Sequence, residues 1–287
     1  MPPFFSIIIP TFNRADKLKK AIDSVLSQTF SDFEILVMDD GSTDHTGELI
    51  NTYNDSRIHY SWGENFGGPA KPRNLGINRA KGEWVCFLDA DDWWKSNKLQ
   101  VCLSHLHAKV DFLYHDMAIS RDGVNCGGKL KSRTLKKPVL KDLLLGGNAI
   151  INSSAMVRRS VLMKAGEFNE ALEMVAAEDF NMWLKVAQIT DKFLYLPVIL
   201  GYYLMHDKNI SSRNMAIPEK FSVTPFIETL SYQEKISLNK RIELMSALYY
   251  CSRENLKKSW ASLGYIIRNG SLKLKIKGLL IFFRIFR

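Results

Sequence analysis

Apolar residues in this chain come in short runs broken by polar turns, and their spacing switches repeatedly between two periods. Residues 5–9 form a continuous, largely β-branched run that predicts a buried strand, stopped where Pro10 and Asn13 follow. Leu18, Ala21, Ile22, Val25 and Leu26 then recur at helical spacing and predict a helix over about 15–28. Residues 33–38 predict a second strand, and Asp39-Asp40-Gly41-Ser42-Thr43-Asp44 a turn that caps the next helix. A short third strand over 57–62, a helix over 71–81, a fourth strand over 84–88 and a helix over about 97–108 follow. Strands alternating with helices at this pace predict an α/β fold with a mostly parallel sheet flanked by helices.

Farther along, residues 111–119 are again apolar, while 123–141 are polar, basic and glycine-containing and predict a mobile loop. Residues 152–157 predict a strand returning to the sheet, 176–189 a helix, 193–204 a strand and 205–214 a polar loop. Beyond Pro218 the apolar spacing is helical to about residue 267.

In open parallel sheets, ligands bind beyond the carboxyl ends of the strands. Three predicted strands carry polar residues there: Thr11, Asn13 and Arg14; Asp39 and Asp40; Asp89 and Asp91. The last set closes the segment Val85-Cys86-Phe87-Leu88-Asp89-Ala90-Asp91-Asp92, in which an apolar run meets three carboxylates. Crowded carboxylates repel one another and raise each other's pKa, so a positive partner is expected. Asp89 and Asp91, one residue apart on extended backbone, face the same side. Hard oxygen ligands of this kind suit Mg²⁺ or Mn²⁺, above all where phosphates complete the shell. The competing reading makes these aspartates helix caps.

The 287 residues suffice for a sizeable core, and 46% hydrophobic with 24% charged residues is ordinary globular composition. Cys86, Cys102, Cys126 and Cys251 show no metal-site spacing and predict reduced thiols. The first residues lack a basic segment, predicting no signal peptide, and no run is long enough to span a bilayer. The net charge of +9 first suggests nucleic acid, but its location argues otherwise. Residues 257–287 hold eight Lys or Arg and no Asp or Glu, which leaves 31 basic and 30 acidic residues in the rest. Those cations are interleaved with Leu, Ile and Phe, so the tail predicts an anionic membrane surface, not nucleic acid, as partner, while the competing reading packs it on the body as a helix or strand.

Ser6-Ile7-Ile8-Ile9-Pro10-Thr11-Phe12-Asn13-Arg14, Val37-Met38-Asp39-Asp40-Gly41-Ser42, Pro72-Arg73-Asn74 and Leu88-Asp89-Ala90-Asp91-Asp92 together resemble family 2 glycosyltransferases. The pair Glu178-Asp179, about 90 residues farther on, is similar to that family's acidic pair. The resemblance implies a GT-A fold over 1–215, with a nucleotide-binding half over 1–110 and an acceptor-binding half over 111–215. Residues 216–287 would form a helical C-terminal region with a basic amphipathic tail. It also implies inverting transfer from a nucleotide sugar, usually a UDP-sugar, with Mn²⁺ or Mg²⁺. By that likeness Pro10, Thr11, Asn13, Arg14, Asp39, Asp40, Arg73, Asp89 and Ala90 would bind the donor. Asp39 or Asp40 would take the uracil N3–H, Thr11 the nucleoside, and Arg73 the base or a phosphate. Asp91 is the first choice of metal ligand, with Asp89 on the ribose or a metal-bound water and Asp92 as competitor. Asp179 would be the general base, with Glu178 placing it or binding acceptor. His206 falls in a stretch similar to a family loop that closes over the nucleotide, with a metal or pyrophosphate role. The resemblance and the tail together imply an enzyme of surface glycan synthesis, acting on a glycan or lipid-linked acceptor at the cytoplasmic face of the cell membrane.

Two other classes compete. A sugar-1-phosphate nucleotidyltransferase would share the sheet, carboxylates and divalent ion, but would carry a glycine-rich basic loop after its first strand, which residues 10–14 do not supply. A non-catalytic, membrane-tethered nucleotide-sugar-binding protein would be expected to have lost the carboxylates, and Asp89, Asp91 and Asp179 are all present.

Overall fold

The computed structural model describes residues 1–121, 124–206, 213–252, 262–264 and 268. Its first half follows the apolar pattern. Strands β1 (Phe5–Thr11), β2 (Phe33–Asp39), β3 (Ile58–Trp62) and β4 (Trp84–Phe87) are parallel, in the order β3-β2-β1-β4. Helices α1 (Ala15–Leu26), α2 (Thr46–Asn51) and α3 (Ala70–Arg79) connect them. The run in β1 is continuous because both faces of the sheet are covered. Ile7 and Ile9 join the core formed with Leu18, Ile22 and Val25 of α1, while Ile8 joins the core that holds Ile77 of α3. The approach of α3 is close: a Cβ at Gly76 would lie 2.6 Å from Ile8 Cγ2.

The sheet continues through antiparallel and parallel partners. Strand β5 (Trp93–Trp94) and helix α4 (Lys98–Leu103) lead to β6 (Phe112–Arg121) and β7 (Val124–Leu130). Helix α5 (Val139–Gly146), a 3-10 turn at Asn152–Ser154, β8 (Met156–Arg158) and α6 (Arg159–Ala165) follow. Helix α7 (Glu178–Ile189) and β9 (Phe193–Leu204) complete the sheet, whose order runs on from β4 as β8-β6-β9-β5, with β7 paired to β6. Parallel ladders carry most of the paired residues, as the alternating pattern predicted.

Three expectations are corrected. Helix α4 ends at Leu103, not near Ala108, because Ser104 Oγ donates to the Val101 carbonyl and His105 Nδ1 lies 2.9 Å from it. The segment 123–141 contains β7 and the start of α5, where a loop was expected. Strand β7 is mostly exposed, so its backbone pairing with β6 leaves no apolar alternation to read. Residues 152–154 are a 3-10 turn, and only Met156–Arg158 pair as β8.

After β9 come α8 (Ala216–Val223), a 3-10 segment at Thr224–Thr229, and α9 (Tyr232–Ser252). The helical stretch expected beyond Pro218 is therefore divided. Ser231 restarts it: its N–H donates to Glu234 Oε2 at 3.0 Å while its hydroxyl faces the Glu234 N–H, a reciprocal cap. Leu238 and Ile242 of α9 join the core beside Leu143 of α5 and Trp183 of α7. No helix among the described residues is long and apolar enough to cross a membrane, and the basic tail from about 270 lies outside them.

Candidate active site

Pro10 marks the point where the sheet opens. The Ile8 carbonyl accepts from Leu88 N–H and the Thr11 carbonyl from Asp40 N–H, so even-numbered residues of β1 face β4 and odd ones face β2. The last β1–β4 pair is Ile8 with Phe87. Pro10 therefore faces β4 beyond the end of the ladder, where its missing N–H costs no bond. The strand order reverses about β1, and the space beyond the carboxyl ends of β1 and β4 is a cavity of about 400 Å³. Pro10, Thr11, Arg14, Asp40, Arg73, Asp89, Ala90, Asp91, Glu178 and Asp179 line it.

Asn13 and Asp39 lie outside that lining and organise the loops around it. Asn13, with φ of 49°, accepts the Thr43 and Asp44 N–H groups on its amide oxygen at 2.8 and 3.2 Å. Asp44 in turn accepts the Ala15 N–H at the start of α1. Both Asp39 oxygens are engaged, one by Ser42 N–H at 2.8 Å and the other by the Tyr60 hydroxyl at 2.6 Å. Gly41 completes the turn at φ 85°, and a Cβ there would sit 2.8 Å from the Asn65 nitrogen. Asp40 is the carboxylate that reaches the cavity. Its Oδ1 accepts Phe66 N–H at 3.0 Å, and burial raises its pKa against the opposing amides of residues 66–68.

The acidic edge after β4 divides three ways. Asp91 Oδ2 takes Arg14 Nη1 at 2.6 Å and lies 3.2 Å from His206 Nε2. Asp89 Oδ1 accepts from Arg73 Nη2 at 2.7 Å and Asn152 Nδ2 at 2.8 Å. Asp92 turns into the protein, where its Oδ1 accepts Leu204 N–H at 3.0 Å. Burial, with Asp91 and Asp89 nearby, raises the Asp92 pKa well above the usual range. Of the two competing carboxylates, Asp91 is the one in the cavity lining.

Arg73, only 3% exposed, ties this edge to α7: its Nη1 donates to Glu178 Oε1 at 2.5 Å. Glu178 Oε2 accepts Ala176 N–H, and Ala176 has φ of 81°, a conformation that alanine pays for in strain. Asp179 follows in the first turn of α7. Its Oδ1 accepts Phe180 N–H at 2.6 Å, and Asn148 Nδ2 lies 3.4 Å from Oδ2. Burial and then the adjacent Glu178 push the Asp179 carboxyl up to about 7, against the pull of Arg73. A carboxylate that titrates near neutrality at a cavity wall can accept a proton from a bound hydroxyl.

Sequence reasoning missed Asn152, Ser153, Asn148 and Tyr203. Asn152 holds Asp89, Ser153 Oγ accepts the Asp89 N–H at 3.1 Å, and Tyr203 lines the cavity. Strand β8 is antiparallel to β4, so the residues before β8 arrive at the edge where those after β4 leave. The polar run Asn152-Ser153-Ser154 was visible, but its edge depends on strand direction. No group of three or more His, Cys, Asp or Glu side chains among the described residues is placed to hold a metal ion.

The sequence signature described as "Glycosyl transferase family 2" matches residues 6–166, more than half the chain. The chain is 29% identical over 215 residues to the Escherichia coli UDP-Glc:alpha-D-GlcNAc-diphosphoundecaprenol beta-1,3-glucosyltransferase WfaP, covering 72% of this chain and 79% of that protein. Among solved structures it is similar to S. aureus TarS 1-349 in complex with UDP-GlcNAc, with a TM-score of 0.63 at 21% identity over 91% of this chain and 89% of that one. It is also similar to the mannosyltransferase PcManGT from Pyrobaculum calidifontis in complex with GDP-Man and Mn2+, with a TM-score of 0.61 at 17% identity, covering 96% and 78% of the two chains.

Proposed function

The chain belongs to glycosyl transferase family 2, and on that premise we propose that it moves a sugar, with inversion, from a UDP-sugar to a hydroxyl of a glycan or lipid-linked acceptor in surface polysaccharide synthesis. The observation that carries this reading is that Asp179, raised to about 7, opens on the same cavity as Asp40, Asp89 and Asp91. One cavity thus offers a donor-binding edge and a proton acceptor. Residues 1–110 supply the donor side and 111–215 the acceptor side, with 216–287 as an appended helical region. The E. coli relative, named as a UDP-glucose-dependent transferase to a diphosphoundecaprenol-linked sugar, supports the choice of UDP and of a lipid-linked acceptor.

In this reading the nucleoside lies against Pro10, Thr11 and Asp40, with the diphosphate toward Arg14 and Asp91. Asp39 and Asn13 act through the loops they fix. Asp179 takes the proton of the acceptor hydroxyl as that oxygen attacks the anomeric carbon, and the bond from that carbon to the diphosphate oxygen breaks. Glu178 is held by Arg73 and the Ala176 N–H beside Asp179, and burial together with repulsion from that neighbour keeps the Asp179 proton bound near neutral pH. Arg73 keeps that repulsion from rising further, because it also neutralises Asp89.

The donor set fits a divalent ion, Mn²⁺ or Mg²⁺. Five carboxylates and two guanidiniums are in the lining, and an anionic diphosphate would enter that excess of negative charge only with an added cation. Asp91 would hold the ion, with Asp89 or His206 beside it, and bound diphosphate oxygens would complete the set. The ion would supply electrostatic stabilisation of the charge that grows on the leaving diphosphate. A mannosyltransferase of similar fold was solved with Mn²⁺, which supports this assignment. The basic tail would hold the protein peripherally on the anionic cytoplasmic face of the membrane, where a lipid-linked acceptor is presented.

Hydrolysis of a panel of nucleotide sugars, with and without Mn²⁺, tests the reading. A UDP-sugar should be turned over, and only with the metal. Turnover of none of them, or equal turnover after chelation, would overturn the donor or the metal assignment respectively.

A further inference from the structure

We propose that Arg14 is a resident counter-ion of Asp91, displaced only when the diphosphate arrives, so that the divalent ion enters with the donor and not before it. The inference rests on the reading of Asp91 as a metal ligand. On the acidic edge Asp91 is paired with Arg14 at 2.6 Å, and Asp89 with Arg73 at 2.7 Å, a guanidinium it shares with Glu178. His206 Nε2 approaches the same Asp91 oxygen that Arg14 occupies. No described group of three or more acidic, histidine or cysteine side chains waits for a metal. A bare divalent ion would therefore have to expel a guanidinium from its carboxylate and find too few ligands among the described residues in return.

The two arginines differ in their freedom to leave. The Arg73 side chain is 4% exposed and bound to two carboxylates, whereas that of Arg14 is 30% exposed and bound to one. Its backbone is fixed, because Asn13 before it is clipped to the turn at Thr43 and Ala15 after it is capped by Asp44. Arg14 can thus pivot on a fixed base inside the cavity it lines. A bound diphosphate changes both conditions at once. It offers Arg14 another anionic partner and supplies oxygen ligands that the described residues do not gather. Metal and diphosphate then favour each other's binding, and by linkage the coupling is reciprocal.

Mn²⁺ binding, followed by the electron paramagnetic resonance of the free ion with and without UDP, tests the idea on the whole chain. Arg14→Gln should bind Mn²⁺ alone about tenfold more tightly than the parent, since one partly exposed charge-assisted bond no longer competes. The enhancement of Mn²⁺ affinity by UDP should shrink by a similar factor. Arg14→Lys keeps the charge and should retain the parent's weak binding and strong coupling, which also controls for damage to the fold. Equal Mn²⁺ affinity of the free parent and Arg14→Gln, with UDP-dependent binding intact in both, overturns the proposal alone. Absence of Mn²⁺ binding to the parent even with UDP overturns the metal assignment of Asp91, and this inference with it.

Discussion

Replacing Asp179 by Asn should lower activity and raise stability together, and the structure gives the size of both effects. The amide keeps an oxygen for the Phe180 N–H that Asp179 now accepts at 2.6 Å, so the start of α7 should persist. What is lost is the basicity of a carboxyl raised to about 7. General-base catalysis contributes typically 10²–10⁴-fold, so kcat should fall by roughly that factor while UDP affinity stays within a few-fold. In the parent, kcat/KM should climb with pH and level off above about 7, because only the ionised carboxylate accepts the proton. That acidic limb should vanish from whatever rate Asp179→Asn retains.

The stability effect has the opposite sign. A carboxyl raised from 3.8 to about 7 binds its proton more tightly in the folded than in the unfolded chain. Its contribution favours folding fully below about pH 4 and is lost as pH rises through about 7. Above that, the ionised group costs the folded state at most about 4 kcal/mol. Solvent screening at the partly exposed side chain reduces this to about 1–2 kcal/mol. Urea denaturation should therefore find Asp179→Asn more stable than the parent at pH 8, with little difference at pH 3.5. A variant within a few-fold of parental kcat, or one that keeps the acidic limb, would refute Asp179 as the base.

Asp91→Ala should lose about 10²-fold or more in transfer, and titration with Mn²⁺ should not restore it, whereas the parent inactivated by EDTA should recover on adding the metal. Lys98 is wholly buried, its Nζ has no hydrogen-bond partner among the described residues and lies 3.2 Å from the centre of the Trp94 ring, and burial lowers its pKa. Lys98→Met should raise stability by about 1–3 kcal/mol at pH 7. Because the folded chain binds that proton less tightly than the unfolded chain, the gain should shrink as pH rises toward 10.5, which urea midpoints at pH 7 and 9 would show. Deleting residues 270–287 should weaken flotation with anionic vesicles, each near-surface Lys or Arg being worth about 1 kcal/mol, and equal flotation would return the tail to another role.

Much of the fold was legible where apolar runs are continuous and bounded. β1, β2 and β9 match the predicted strands to within two residues, because burial on both faces keeps β1 and β2 mostly apolar, with Ser6 and Glu34 satisfying each other at 2.6 Å, and turn residues follow directly. What failed was structure held by backbone pairing alone. β7 pairs with β6 in the open, so Val124, Asn125 and Cys126 carry no periodic signal. The end of α4 was equally hidden, since Ser104 and His105 stop the helix with side-chain bonds that propensity does not register.

The candidate site divides along the same physical line. That Thr11, Asp40, Asp89 and Asp91 would gather at one edge followed from strand polarity, a property of parallel sheets that needs no side-chain detail. Which carboxylate of a run faces the cavity did not follow, because one step of register reverses the face and the chain leaves β4 at Phe87, before any of them. Asp92 is turned inward, bonded by Leu204, 112 residues away, and by Ser153. Arg73 presents the same problem in sharper form. Its sequence context, at the start of a helix beside a loop, fits a ligand-facing guanidinium, yet its partners Asp89 and Glu178 stand 16 and 105 residues from it. Two carboxylates meeting at a cavity wall require an interior cation, and only the closed fold shows which arginine was near enough to serve. The pKa of Asp179 depends on that choice, since Arg73 opposes both the burial and the Glu178 charge that raise it. Local pattern therefore locates an acidic pair, while burial, the adjacent Glu178 and the long-range pairing of Arg73 together set where Asp179 titrates.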